Sequence, residues 1–318
     1  MSVYTTVYKQ DIEQLLKRYT IGTLIDFSGV EDGIENTTYF IKTEKEKEVN
    51  EWVLTIFEHE CEQVLTQYVQ LLSYLSQSIP VPPPLCDSGG KSVQVIHNKP
   101  AVLVPKVEGD HLIKPLPSHC VQIGATLAKL HTETTGYSHP IPSACDFSWI
   151  EKETRSWMHK LNEEDQKIMK SALQLCRFML PKYSTLPKAI IHSDLFIDNA
   201  LFYKGNLSGV IDFFSAGTDF MLMDVAVAIN DWCVDYNGII DQVRYEALLE
   251  GYQSIRPLQP LEHIALPFFL HLAALRYWTL RLKVQLKNLE QNRSGDLIKF
   301  KDPTWFKDIV QARQKAIM

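Results

Sequence analysis

His192-Ser193-Asp194-Leu195-Phe196-Ile197-Asp198-Asn199 is followed, about a dozen residues on, by Val210-Ile211-Asp212-Phe213. Ala189-Ile190-Ile191 reads as a short strand leading in, and Ala200-Leu201-Phe202 as one leading out. Gly205-Asn206 then makes a hairpin turn into Leu207–Ile211. That hairpin folds Asp212 back beside the loop carrying Asp194 and Asn199. Phosphoryl transfer needs this kind of arrangement, because the protein mostly positions groups and neutralises charge. Asp194 is placed to take the proton of an attacking hydroxyl. Asn199 and Asp212 are placed to hold magnesium against the phosphates of ATP. The plain alternative, a surface loop using Asp and Asn as turn formers, fits the ordered strands on both sides less well.

Composition bounds the setting. At 318 residues the chain holds one large or two modest domains, and 45% hydrophobic with 22% charged residues is ordinary for a globular protein. A net charge of −6 argues against a nucleic-acid partner. No run of 18 apolar residues exists, which argues against a membrane span. Met-Ser-Val-Tyr-Thr-Thr at the start lacks the regions of a signal peptide. Cysteines 61, 86, 120, 145, 176 and 233 are scattered with no C-x-x-C pair, and read as reduced core residues. The expected compartment is the cytoplasm.

The first hundred or so residues alternate like strands. A short helix at 11–19 precedes strands at 24–30, 37–42 and 51–58, with 45–50 as a charged connection. A helix at about 61–76 and a strand pair at 93–96 and 101–104 follow. Pro105 to Gly109 is the natural hinge, because the composition turns helical beyond it. The expectation is an α+β fold in two lobes. Residues 1–105 form a small antiparallel β lobe that covers the nucleotide, and residues 106–318 a larger, mainly helical catalytic and substrate-binding lobe.

Other residues carry weaker signals. Gly33-Ile34-Glu35-Asn36-Thr37-Thr38 sits between two strands and suits a phosphate-covering turn, or an ordinary hairpin. Val53-Leu54-Thr55-Ile56-Phe57 stands where kinases place the lysine that contacts the α- and β-phosphates, and Thr55 cannot supply that charge. Lys42, one strand earlier, is a candidate substitute or a solvated lysine. On a helix at 223–233, Asp224 and Asp231 share a face. Asp224 reads as structural, accepting hydrogen bonds from the catalytic-loop backbone. Asp231 either does the same or meets a substrate ammonium. Arg276, Trp278, Arg281 and Lys283 follow an apolar run. Arg276 suits a substrate carboxylate by bidentate pairing, or the group is the basic outer face of a helix.

Taken together, these residues resemble the aminoglycoside-phosphotransferase and choline-kinase-like superfamily, and within it the bacterial homoserine kinases. The stretches that carry the likeness are Y-T-T-V, G-I-E-N-T-T-Y-F, W-V-L-T-I-F-E, L-A-K-L-H at 127–131, H-S-D-L-F-I-D-N-A-L-F, L-S-G-V-I-D-F, D-V-A-V-A-I-N-D-W-C and K-D-P at 301–303. V-L-T without the strand lysine, and N-D-W-C, resemble that subgroup and differ from the aminoglycoside enzymes. The resemblance implies ATP-dependent phosphorylation of the L-homoserine hydroxyl in threonine biosynthesis. It makes Asp194 the base, Asn199 and Asp212 the magnesium ligands, and 33–38 the phosphate-covering turn. Two other readings remain: a kinase of the same fold acting on choline or an aminoglycoside, and a non-catalytic pseudokinase suggested by Thr55.

Overall fold

The computed structural model describes residues 4–30, 36–290 and 302–317. These fall into two compact units, one ending at Gly109 and the other beginning at Asp110.

The first unit opens with α1 (Lys9–Leu16), whose start is fixed by Asp11 Oδ2 accepting the Tyr8 backbone N–H at 2.8 Å. Then come β1 (Thr23–Gly29), β2 (Thr37–Lys45), β3 (Glu48–Ile56), α2 (Glu62–Leu75), β4 (Val93–Ile96) and β5 (Lys99–Pro105). The strands make one antiparallel sheet of order β1-β2-β3-β5-β4. Along β2, Tyr39, Ile41 and Thr43 are buried while Phe40, Lys42 and Glu44 are exposed, the two-residue period of a half-covered sheet. The buried face packs on Ile12, Leu15 and Leu16 of α1, together with Leu54, Ile56, Ala101 and Leu103.

The expected charged connection at 45–50 is strand almost throughout. Glu46 and Lys47 alone make the turn, at φ 55° and 72°. Paired left-handed residues match the twist of the strands they join. His97 and Asn98, at φ 49° and 62°, do the same between β4 and β5.

The second unit contains α3 (Pro117–Thr134), α4 (Phe147–Trp157), α5 (Glu163–Met179), β6 (Lys188–Ile191), β7 (Ala200–Tyr203), β8 (Asn206–Val210), β9 (Gly217–Phe220), α6 (Met221–Trp232), α7 (Gln242–Gln253), α8 (Pro260–Glu290) and α9 (Pro303–Ile317). β7 pairs with β8 as expected, and β6 pairs with β9, a strand the sequence did not announce. Every residue of α6 is buried except Asp231, the mark of a core helix. α8 is buried continuously from Phe268 to Thr279. α3 and α7 cross at backbone contact, because a Cβ on Gly124 would stand 2.0 Å from the Leu248 carbonyl oxygen and one on Gly251 2.0 Å from that of Val121.

The cysteines are all free, but only Cys120, Cys176 and Cys233 are buried, so the expectation of six core cysteines fails for Cys61, Cys86 and Cys145. No helix among the described residues is long and apolar enough to cross a membrane.

Candidate active site

The loop between β6 and β7 closes through a short 3-10 turn, Ile197–Asn199. Its conformation is not one the chain adopts unaided, since Ser193 lies in the left-handed region at φ 69°. A non-glycine residue there costs roughly 1–3 kcal/mol, which surrounding contacts must offset. Asp224, fully buried on α6, supplies the largest restraint. Its Oδ1 accepts the Ser193 N–H at 2.8 Å and its Oδ2 the His192 N–H at 2.8 Å, with His131 Nε2 at 3.1 Å. Burial pushes this carboxyl up, but the hydrogen bond and charge of His131 bring it below the ordinary value. Asp224 is therefore an anion holding the loop, as its position on the helix suggested.

Three further groups hold the same loop. Asp231 Oδ2 accepts the Ile197 N–H at 2.7 Å and so braces the loop backbone, as Asp224 does. Trp232 Nε1 donates to the Leu195 carbonyl at 2.9 Å. Tyr277, on α8, places its hydroxyl 2.9 Å from Asp194 Oδ1 and against the Ser193 carbonyl oxygen.

His192 ties the two halves of the motif. Its Nε2 donates to the Ile211 carbonyl at 3.0 Å, and its Nδ1 accepts the Asp194 N–H at 3.2 Å. Only the neutral ring with its proton on Nε2 satisfies both partners, and burial lowers the ring's pKa accordingly. From the other side, the Ile211 N–H donates to the Asn199 carbonyl at 3.0 Å. Asp212 is the next residue along, in the left-handed region at φ 64° and ψ 56°.

The Asn199 amide nitrogen lies 2.8 Å from the Asp194 carbonyl oxygen and 3.1 Å from Asp194 Oδ2. Both partners accept only, so the nitrogen must face them and Oδ1 must point away. That Oδ1 accepts no hydrogen bond from the described residues. A neutral oxygen from Asn199 and a carboxylate from Asp212 form a hard-donor pair suited to magnesium, which is usually held by one or two protein groups plus phosphate oxygens.

The remaining sequence candidates fare differently. Gly33, Ile34 and Glu35 lie outside the described residues. Asn36 Oδ1 accepts the Glu58 N–H at 3.4 Å. The Thr37 hydroxyl is fully buried, accepting the Tyr4 and Thr5 N–H groups at 3.0 and 3.1 Å and donating to Glu58 at 2.6 Å. Its side chain thus builds a network with Lys99, instead of being offered to a nucleotide.

Lys42 pairs with Glu51 at 2.7 Å, and Lys106 reaches the same carboxylate at 2.6 Å. Hydrogen bonds from Lys106 and then Lys42 pull the Glu51 carboxyl down to about 2. Thr55 stands opposite Thr38, so Lys42 also lies four residues along β2 from that point, roughly 14 Å at about 3.4 Å per residue. It is therefore poorly placed to replace the charge missing at Thr55.

Arg276 is not on an outer face. It is 1% exposed, its Nη2 lies 2.6 Å from Asp219 Oδ2, and its Nε and Nη1 have no hydrogen-bond partner among the described residues. Arg281 lies over the Phe306 ring at 4.3 Å, and Lys283 pairs with Glu153 at 2.9 Å. The reading of a basic solvent face fails for Arg276, whereas Arg281 and Lys283, further along α8, stay partly exposed.

Sequence reasoning missed Tyr277, Trp232 and Asp219. Each acts through a contact with residues 37 or more positions away, and no local pattern marks it.

A two-unit chain with an antiparallel sheet, a helical body and this loop defines an ATP-dependent phosphotransferase that acts on an alcohol. Residues 26–258 match the phosphotransferase enzyme family, APH. Homoserine kinase of Methylobacillus flagellatus is 36% identical over 312 residues, covering 98% of this chain and 95% of that one. Homoserine kinase of Paraburkholderia phymatum is 34% identical, covering 98% of both chains. Among solved structures, a microcompartment-associated aminopropanol kinase superposes with a TM-score of 0.72 at 18% identity, covering 97% of each chain. A spectinomycin phosphotransferase in complex with ADP and spectinomycin gives 0.68 at 13% identity, covering 98% of this chain and all of that one. At such identities these two likenesses establish the fold alone. The chain belongs to the phosphotransferase enzyme family and, within it, to the homoserine kinases.

Proposed function

We propose that the chain transfers the γ-phosphoryl group of ATP to the hydroxyl of L-homoserine, giving O-phospho-L-homoserine and ADP on the route to threonine. The observation that carries this reading is the frame that brings Asp194, Asn199 and Asp212 together in a chain related end to end to homoserine kinases. Asp194 faces the acceptor hydroxyl and takes its proton as the O–P bond forms. Asn199 through Oδ1 and Asp212 through its carboxylate would hold magnesium, which neutralises charge on the phosphates when bound.

With Thr55 at the usual lysine position and Lys42 paired with Glu51, these two ligands carry more of that charge balance than in kinases that keep the lysine. Arg276 is our candidate for the substrate carboxylate, because two of its buried guanidinium nitrogens find no partner among the described residues. The turn at 33–38 is our candidate for the phosphate-covering element; Lys42 stays with Glu51. The compartment is the cytoplasm.

A polycationic substrate fits less well. Of the acids at 151–165, Glu151 is paired with Arg177, Glu153 with Lys283 and Asp165 with Lys307. Those carboxylates are already neutralised.

The test is ADP release from purified protein with ATP and magnesium, offering homoserine, serine, choline and an aminoglycoside in parallel. Stimulation by homoserine above the others is expected. Stimulation by choline alone would overturn the substrate and leave the enzyme class standing.

A further inference from the structure

Tyr277 belongs to none of the motifs, yet its phenol oxygen sits between the two acceptors that define the loop: Asp194 Oδ1 at 2.9 Å and the Ser193 carbonyl. The ring is buried, edge-on to Phe196 with centroids 4.6 Å apart and stacked on Phe306 at 5.3 Å. It cannot swing clear of the loop without unpacking both.

We propose that Tyr277 is a positioning residue for the reaction, whose single phenolic proton bridges the Ser193 carbonyl and Asp194 Oδ1 and so turns Oδ2 toward the acceptor hydroxyl. The inference rests on the reading of Asp194 as the group that takes the hydroxyl's proton.

An Asp carboxylate rotates about one bond, Cβ–Cγ, and is fixed only when both oxygens are held. Asn199 Nδ2 holds Oδ2 at 3.1 Å, leaving that oxygen a lone pair, and Tyr277 holds Oδ1. Without the phenol Oδ1 loses this hydrogen bond, and the carboxylate is held less firmly in the line of the hydroxyl. The bridge to Ser193 does a second thing. Asp224 grips the N–H of that left-handed residue and Tyr277 grips its carbonyl, so the residue before Asp194 is clamped from both sides. Burial, and then the neighbouring Asp194 charge, keep the phenol protonated and hence a donor.

The experiment is a double-mutant cycle on the full chain with Tyr277→Phe, Asp194→Asn and both together. Initial rates come from ADP release, and slow variants are followed with labelled ATP. Tyr277→Phe is expected to lower kcat by about 10- to 100-fold, the scale of a sub-ångström to 1 Å misplacement. KM for ATP should stay within about twofold, since uniform binding is untouched. In the Asp194→Asn background, adding Tyr277→Phe should change the residual rate by less than about twofold, because the residue it positions is gone.

Equal losses in both backgrounds would overturn the proposal, and that is also what impaired folding would produce. An unchanged kcat would overturn it as well. The wild-type assay separates this from the substrate reading: if another alcohol supports turnover in place of homoserine, the same cycle is run on that alcohol and decides the role of Tyr277 independently. A wild-type chain that turns over no alcohol would fail both.

Discussion

Replacing Asp224 by Asn keeps the volume of the side chain and removes one acceptor from a buried site that uses both. Asp224 Oδ1 receives Ser193 N–H, and Oδ2 receives His192 N–H with His131 Nε2 alongside. The new NH2 must stand on one side or the other. On the Oδ1 side it confronts the Ser193 N–H, and on the Oδ2 side the His192 N–H. Either way one buried backbone donor loses its partner, at about 1–3 kcal/mol, and the surviving bonds lose the extra strength of a charged acceptor. Removing a buried charge offsets part of this. The net expectation is a loss of about 2–3 kcal/mol, or roughly 5–10 °C in melting temperature for a unit of about 200 residues. The loop would also relax toward a right-handed Ser193, displacing Asp194 and lowering kcat by about 100-fold, with KM for ATP little changed. Scanning fluorimetry and the ADP-release assay measure the two effects. A variant that melts within a degree of the parent and turns over at the parent rate would refute the claim that Asp224 holds the catalytic loop.

Three further outcomes follow from the geometry. Asp212→Asn removes the charged member of the proposed magnesium pair, so half-saturating magnesium should rise and kcat fall at least about 10-fold; an unchanged magnesium titration would remove Asp212 from the proposal. Gly124→Ala drives a methyl to 2.0 Å from the Leu248 carbonyl oxygen and should cost about 1–3 kcal/mol through forced separation of α3 and α7, read as a lower denaturation midpoint. His271 is wholly buried with Nδ1 donating to the Val310 carbonyl at 3.2 Å, and burial lowers its pKa from 6.5 to about 4. The folded ring stays neutral where the unfolded chain already binds a proton, so its stabilisation is complete above pH 6.5 and is lost as pH falls from there toward about 4. The loss is about 3 kcal/mol. Urea titrations at pH 7.5 and 5 should show a shallower pH slope for His271→Gln than for the parent, and equal slopes would count against this account.

The chemistry was legible where it is local. Asp194, Asn199 and Asp212 announce themselves because a hairpin brings residues of fixed spacing together, and Asp224 because helix periodicity sets it on one face with Asp231. The groups that shape the loop from afar were not legible. Tyr277 sits in an apolar run of α8 that reads as plain core, and no sequence rule pairs it with Ser193, 84 positions earlier. Charge also misled. Arg276 could equally be read as part of a basic outer face, yet it is buried on Asp219. Glu46-Lys47 lacks the Asn-Gly signature of a tight turn, so a continuous hairpin passed for a charged connection. β9, four residues long, is too short for alternation to show. Thr37 and Lys42 sit on the strand expected to meet the nucleotide, but their side chains answer to Glu58 and Glu51.

The partners that hold His192, Ser193, Leu195 and Ile197 stand between 31 and 84 positions further along the chain. Such a loop has no native form until the chain beyond it has been made and α6 and α8 have docked, because distant contacts must first meet the entropy of closing long loops. Its left-handed serine works against the same conformation until then. In a refolding experiment, helical ellipticity should return first and turnover last. In the cell, a ribosome-bound chain that ends before Tyr277 would already display the whole catalytic motif while remaining inert.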